Sequence, residues 1–527
     1  MKSMTLNKLL SGTALGFAML SAPAFAEPVT LTTEDGSITI SGEIKNFDGT
    51  NYTIETVIGT VIMSAQTVSC QGAACPVLAP QESQFKFAGS RALADSLIPT
   101  LISDYSKSIG AQSESSVSSN GRAVFSFDTE QAGKAEIEVA STNSRDGFEA
   151  LVGGDATFAL ATRPARNREV RAAADAGKGE LRTPQQEHIV AVDGLLLVTH
   201  PDNPVRAVSE VNAALAFSGR IANWSELGGN NAPINLYVRE ADSGSREVFD
   251  NLVMRPNGLA VAANVTVLDS DQAISDAVQQ DPNGFGFTSF ANVGEAAALD
   301  IQGVCGLRTP ASAFTIKTEE YPLTRLMYMY QAGDRLDYHA KGFLDYLETD
   351  EAQEAVARAG FVDQSISSET INSQGIRVAS AVVNNETPED FAVMRDMLEL
   401  LLSSDRMSTT YRFETGSARL DARAQADVAR LAELLESDRF RNKEILFVGF
   451  TDSVGKSDLN QLLSLQRAEL VRRNVLAENP SLRNSIKTRA VGFGEVSPLG
   501  CNETDTGRRI NRRVEVWVQD IVAADQS

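Results

Sequence analysis

The sequence predicts a multidomain α/β protein that begins with a small β module. Its 527 residues exceed what one hydrophobic core usually serves, so two to four domains are expected. Residues 27–80 alternate in short β-like runs, whereas from about Phe85 apolar strands alternate with amphipathic helical stretches. From Tyr411 to Val518 a third module reads strand, helix, strand, helix, strand.

The first residues carry Lys2 and Lys8, an apolar run from Leu9 to Leu20, and Ala24-Phe25-Ala26 before Glu27. This is the layout of a secretory signal peptide, and its apolar core falls short of the roughly 20 residues of a membrane span. Residues 1–26 are therefore set aside. No cysteine follows the expected cleavage point, so a lipid anchor is not indicated, and no later stretch reads as a transmembrane helix. The formal charge of −22 becomes −24 once the two leader lysines are removed, a field that repels nucleic acid and anionic membranes. Acidity of this kind also simply aids solubility.

In residues 27–80 the runs Val29-Thr30-Leu31-Thr32, Ser37-Ile38-Thr39-Ile40, Tyr52-Thr53-Ile54-Glu55 and Gly59-Thr60-Val61-Ile62-Met63 are separated by turn signals, Glu34-Asp35-Gly36 and Asp48-Gly49. They predict antiparallel hairpins. Cys70 and Cys75 are close enough in sequence to close a small disulfide loop in an oxidising compartment. Cys305 and Cys501 lie far apart and either stay reduced or bridge two domains. His188, His200 and His339 are scattered without metal-ligand spacing, so neither a metal nor a cofactor is expected.

Residues 85–363 form the large α/β region. The Ser/Thr/Asn-rich segment Gln364 to Glu386 reads as a domain edge, and Thr387-Pro388-Glu389-Asp390 opens a helix through Leu402. Residues 364–410 are therefore expected as linker and helix, and 411–520 as the last module, an α/β sandwich with one helical face.

The last module carries Phe413 with Gly416-Ser417-Ala418, then Gly449-Phe450-Thr451-Asp452-Ser453-Val454-Gly455. It continues with Asn460-Gln461-Leu462-Leu463-Ser464-Leu465-Gln466-Arg467-Ala468, Gly492-Phe493-Gly494-Glu495 and Asn511-Arg512-Arg513-Val514-Glu515. In this order the motifs resemble the OmpA-like peptidoglycan-associating domain. The resemblance implies a peptidoglycan partner, with the zwitterionic diaminopimelate of the stem peptide as ligand. By motif position Asp452 would hold the ammonium and Arg467 the carboxylate, since each charge gains an opposite, hydrogen-bonded partner. Thr451 and Asn460 would support the pocket, and Arg512 or Arg513 would buttress it. Phe450 departs from the histidine that many relatives carry.

The middle region carries Gly89-Ser90, Ala161-Thr162-Arg163-Pro164, Val192-Asp193-Gly194-Leu195, Phe217-Ser218-Gly219-Arg220 and Arg239-Glu240-Ala241-Asp242-Ser243-Gly244-Ser245. These resemble the phosphate-type periplasmic substrate-binding proteins, which implies a two-lobed type II periplasmic binding protein fold closing on phosphate or a similar oxyanion. Apolar residues at helical spacing after Ser245 place Ser243, Gly244 and Ser245 at a helix N-terminus, where free N–H groups and the dipole favour an anion. Arg239 would add a bidentate contact, Ser90 donors from the other lobe, and Ser144 a further hydroxyl. Serine and glycine at a helix start also serve as plain caps and turns. Where that family carries an acidic acceptor for protonated phosphate, this sequence has Arg163, which implies a fully ionised anion or a pocket put to another use.

The two resemblances imply a periplasmic protein associated with peptidoglycan and the outer membrane. Two functions fit: an anion receptor tethered to the wall, with an ABC transporter permease as partner, or a structural wall-linking scaffold whose middle domain is an interaction surface. No nucleophile–base constellation, metal motif or nucleotide loop points to an enzyme.

Overall fold

The computed structural model describes residues 28–521, apart from 34–37, 48–50, 58, 66–67, 73, 77–81, 130–132, 242, 334–335, 385–386, 414–419 and 421. The expected signal peptide, the turns at Glu34-Asp35-Gly36 and Asp48-Gly49, Asp242, and the Gly416-Ser417-Ala418 motif lie outside the described residues. The chain divides into two compact units, Met1–Gln81 and Glu82–Ser527.

In the first unit, β1 (Val29–Thr33), β2 (Thr39–Phe47), β3 (Asn51–Thr56), β4 (Gly59–Ser64) and β5 (Val68–Gln71) pair in the order β4-β3-β2-β1-β5. Every pairing is antiparallel. Alternation puts Val29 and Leu31 of β1 and Tyr52 and Ile54 of β3 on the buried face, with Val68 completing a small core. A core of that size gains from a covalent staple, and the disulfide from Cys70 in β5 to Cys75 supplies one.

The second unit begins with a two-lobed domain. Its strands are β6 (Ser83–Ser90), β7 (Glu114–Val117), β8 (Ala123–Thr129), β9 (Gly133–Thr142), β10 (Phe158–Ala161), β11 (Glu187–Thr199), β12 (Asn235–Arg239), β13 (Thr266–Leu268), β14 (Gly284–Ser289) and β15 (Thr324–Gln331). They form the main path of an eleven-stranded sheet in the order β13-β12-β14-β11-β15-β10-β6-β9-β8-β7. The first strand thus starts at Ser83, not Phe85. Two cores flank the middle of this path. One gathers Phe85, Phe87, Phe158 and Phe343, the other Phe217, Trp224, Phe249 and Phe287. The long neighbours β11 and β15 feed both: Val190, Ala191, Met327 and Met329 enter the first core, and Val192 and Leu195 to Val198 the second. The run Val190 to Thr199 is buried throughout, as expected for a strand covered on both faces. These two strands are the hinge.

The C-terminal domain has strands β16 (Ser368–Thr370), β17 (Ser404–Arg412), β18 (Lys443–Phe450), β19 (Lys487–Gly492) and β20 (Arg513–Asp520), in the order β16-β17-β20-β18-β19. One face carries the helices 422–434 and 457–478, packed through Val428, Leu431, Ala468 and Val471. Gly449 and Gly492 allow the longer helix its close approach, because a Cβ on Gly449 would meet the Ser464 carbonyl oxygen at 2.0 Å and one on Gly492 the Leu465 nitrogen at 2.3 Å.

Two expectations are corrected here. The stretch 364–410 is not a linker: it contributes β16 and most of β17, and its helices 375–384 and 388–401 cover the second face of the sheet. Met394, Met397 and Leu401 pack there with Leu446 and Trp517, so both faces of the sheet are helical. The start of β17 is hidden in sequence because Arg406 reads as a surface residue, whereas it is buried and ion-paired with Glu320 and Glu515.

The two-lobed domain and the C-terminal domain are joined firmly. Cys305 and Cys501 form a disulfide across the junction. Beside it the segment Lys317 to Glu320 enters the C-terminal domain: Arg412 donates to the Thr318 carbonyl, Arg423 to Glu319 and to the Lys317 carbonyl, and Arg406 to Glu320. Glu319 has φ of 54°, the only positive value among the described non-glycine residues.

Candidate functional site

The interlobe site is built from helix starts. Ser90 ends β6 immediately before a helix beginning at Arg91, and Ser144 opens the helix Ser144–Gly153, whose N-cap is Asn143. Ser243 caps the helix Gly244–Phe249, its Oγ accepting the Arg246 N–H at 3.1 Å. Gly89 (φ 141°) lets β6 lie against β10, since a Cβ there would meet the Leu160 carbonyl oxygen at 2.1 Å. The lobes meet at Gly244: a Cβ on it would lie 3.8 Å from both the Ser90 Oγ and the Thr162 Cγ2. The Ser144 Oγ accepts the Thr162 N–H at 3.2 Å. Ser90, Ser144, Thr162, Ser243 and Ser245 are all buried. The structure thus brings together hydroxyls and helix N-termini from both lobes.

The arginines stand differently. Arg239 donates to Asp271 at 2.7 Å and to the backbone carbonyls of Leu268 and Asp269, and Ser245 donates to the other Asp271 oxygen at 2.7 Å. Arg163, expected to face the anion, is instead bidentate to Glu169 at 2.8 Å and lies over the Phe148 ring. That carboxylate is held ionised: burial pushes its pKa up, but hydrogen bonds from Arg163 and the Arg166 N–H bring it below the ordinary value. The expectation for Arg163 is corrected on this ground, since a guanidinium committed to both carboxylate oxygens offers no fork to a ligand. Sequence reading missed two residues, Thr162 and Arg325. Arg325 is buried, pairs with Asp193 at 2.6 Å and approaches the Ser245 Oγ at 3.4 Å. Thr162 and Asp193 lay inside recognised motifs, whereas Arg325 lay just outside the matching Tyr321-Pro322-Leu323. Each of these three arginines therefore has its own carboxylate, and an anion here would be held by N–H groups and hydroxyls.

The second site lies in the C-terminal domain. Asp452 follows β18 and pairs with Arg512 at 2.7 Å; the other Asp452 oxygen accepts the Val454 N–H at 3.3 Å. Asn460 donates to the Asp452 carbonyl and to Glu495. Arg467 projects from the long helix with its guanidinium 5.0 Å from the centre of the Phe413 ring. Burial, then the neighbouring Arg512, pull Arg467 down to about 10, while Asp452 pulls the other way. Thr451, Asp452, Asn460, Arg467 and Arg512 thus share one place.

Arg513 does not join them. Arg512 is the C-cap of the helix 505–511, whereas Arg513 opens β20 and enters the far face, where it pairs with Glu515 at 2.6 Å and lies 4.2 Å from the Phe450 ring centre. Burial pushes Arg513 down to about 9. Glu515 is held far below the carboxylate range: burial would raise it, but Arg377, Arg406 and Arg513 prevail. Phe450 is the apolar floor for Arg513 and Arg377. Among the described residues, the one cluster of potential metal ligands is Cys305, Cys501 and Glu503, and its two sulfurs are bonded to each other.

Residues 110–351 match the model of the PBP superfamily domain, and residues 412–512 that of the OmpA family. The chain therefore joins a two-lobed binding-protein domain to a C-terminal OmpA domain. The phosphate-binding protein PstS of Bacillus subtilis is 31% identical over 172 residues, 32% of this chain and 54% of that protein. Outer membrane porin F of Pseudomonas aeruginosa is 31% identical over 134 residues, 25% of this chain and 37% of the porin. Among solved structures, an ABC-type phosphate transport receptor from Vibrio cholerae aligns with 53% of this chain and 99% of its own, at 22% identity and a TM-score of 0.41. The chain spans about half the length of the first of these relatives. No described helix is long and apolar enough to cross a membrane.

Proposed function

We propose that the protein is a non-catalytic periplasmic receptor for a phosphate-like oxyanion, held to peptidoglycan by its OmpA domain. The observation that carries the receptor reading is the convergence at Gly244 of Ser90, Thr162 and the capped helix start at Ser243. Buried N–H groups at a helix start are a ready anion site. Relatives named as phosphate-binding proteins support the ligand class. Asp452 and Arg467 support recognition of a zwitterion such as diaminopimelate, with Arg512 setting the Asp452 carboxylate. Association with the outer membrane and delivery to an ABC transporter permease belong to the same reading.

The test is thermal stabilisation of the full chain by inorganic phosphate. A ligand that binds only the folded state stabilises by about 2.7 kcal/mol at a hundredfold excess over Kd. The shift should vanish in Gly244→Val, whose side chain would enter the space between Ser90 and Thr162. If neither phosphate nor sulfate raises the Tm of the wild type, the receptor reading fails and the scaffold reading replaces it.

A further inference from the structure

A cavity of about 440 Å³ lies on the hinge side of the interlobe site. Three parts of the protein wall it. The lobes contribute Thr162, Arg163 and Leu252, the hinge strands Ile189, Arg325 and Tyr328, and the OmpA domain Arg412, Arg423 and Arg509. Ser90, Ser243 and Gly244 are not among its lining residues, so it adjoins the interlobe site, with which it shares Thr162 and Arg325, without coinciding with it. Its volume falls in the range of small-molecule sites, roughly 300–1,000 Å³.

The wall is built for a negative head on an apolar body. On the OmpA side Arg423 and Arg509 reach Glu319, and Arg423 and Arg430 reach Asp427. Arg412 has no carboxylate within 4.0 Å among the described residues; its Nη atoms donate to the carbonyls of Ile510 and Thr318. Arg423, Arg509 and Arg430, the last from outside the cavity lining, thus share two carboxylates, and Glu187, which also lines the cavity, accepts from the Tyr330 hydroxyl. Four buried donors of the cavity-lining side chains, Arg163 Nε, Thr324 Oγ1, Arg325 Nη1 and Arg412 Nε, have no hydrogen-bond partner among the described residues. Buried donors left in that state are costly, and an oxyanion supplies the acceptors the protein itself does not. Ile189, Val248, Leu252 and Leu326 make the rest of the wall apolar.

We propose that this cavity is a second ligand site, for a small organic anion with an oxyanion head and an apolar or aromatic body. The head sits against Arg412 and Arg509, and the body against the hinge strands. The OmpA domain then completes a binding site in addition to its place at the wall.

The probes are phenyl phosphate and benzoate, measured by calorimetry on the full chain, with inorganic phosphate as comparison. The Gly244→Val variant should still bind one equivalent of at least one organic probe, and inorganic phosphate should not compete. Arg412→Met, and separately the half-exposed Arg509→Ala, should weaken that binding at least tenfold. Arg509→Ala keeps the test open if the buried Arg412 variant does not fold. No binding of either probe to Gly244→Val, or binding unchanged in both arginine variants, overturns the proposal. Loss of inorganic phosphate binding in Gly244→Val reports on the interlobe site alone.

Discussion

Arg512 and Arg513 are adjacent in sequence and end on opposite faces of one sheet, so they respond oppositely to substitution. Arg512 pairs with Asp452 in the candidate site, whereas Arg513 neutralises Glu515 in a buried cluster. Asp452→Ala and Arg467→Ala should each abolish co-sedimentation with diaminopimelate-containing sacculi, and Asp452→Ala should also lower the Tm, because it leaves the buried Arg512 without its carboxylate. Arg513→Ala should instead cost about 3–5 kcal/mol, because it leaves a buried carboxylate short of a partner, and this is read from chemical denaturation. Sedimentation retained in both site variants would remove the wall-binding assignment. Ser243→Ala separates cap from ligand contact. Loss of the cap alone costs about 1 kcal/mol, so a phosphate affinity that survives the substitution assigns Ser243 to capping only.

At the scale of single elements, the inserted segment Lys317 to Glu320 links stability to pH. Burial pushes the Glu319 carboxyl up, but Arg423, Arg412 and Arg509 together hold it down at about 2. A depressed folded pKa means that its contribution is complete above the ordinary value of 4.5 and is lost as pH falls from there toward 2. Wild type and Glu319→Gln should therefore differ in Tm at pH 7 and converge by pH 2–3; a constant difference across that window would exclude the ion pairs as its source. The helix 457–478 depends on bare backbone at Gly449, so Gly449→Ala forces apart a strand and a helix and should cost about 1–3 kcal/mol or more. Elements differed in how far they could be read. The motif around Asp452 and the capped start at Thr387 were plain, because loop chemistry and capping are local. The first half of β17 and the helix 375–384 were not: Arg406 gains its interior place from Glu320, 86 residues earlier in the chain, and from Glu515, far later in it. For the same reason Arg325 could not be singled out, and Arg163 was assigned to a ligand when its partner was Glu169.

At the scale of the molecule, the Cys305–Cys501 bond closes a loop of 196 residues between domains. Removing both cysteines as serines should cost about 2–5 kcal/mol in the range usual for native disulfides. The loss should appear as earlier melting of the junction, seen by faster amide exchange in 317–320 and 404–412, with sedimentation on sacculi retained. The organisation into a β module, a two-lobed domain and an α/β sandwich was legible from patterning and motifs, but the firmness of the joint was not, since it rests on pairings between distant residues. A flexible chain over residues 364–410 would have let the two-lobed domain roam a radius of roughly 40 Å about the C-terminal one. Those residues are instead folded into the C-terminal domain itself, so the two-lobed domain has a bearing and no leash. If the OmpA domain grips peptidoglycan as proposed, the direction in which the lobes face is set by the glycan mesh, and whatever collects a ligand from them must come to that fixed address.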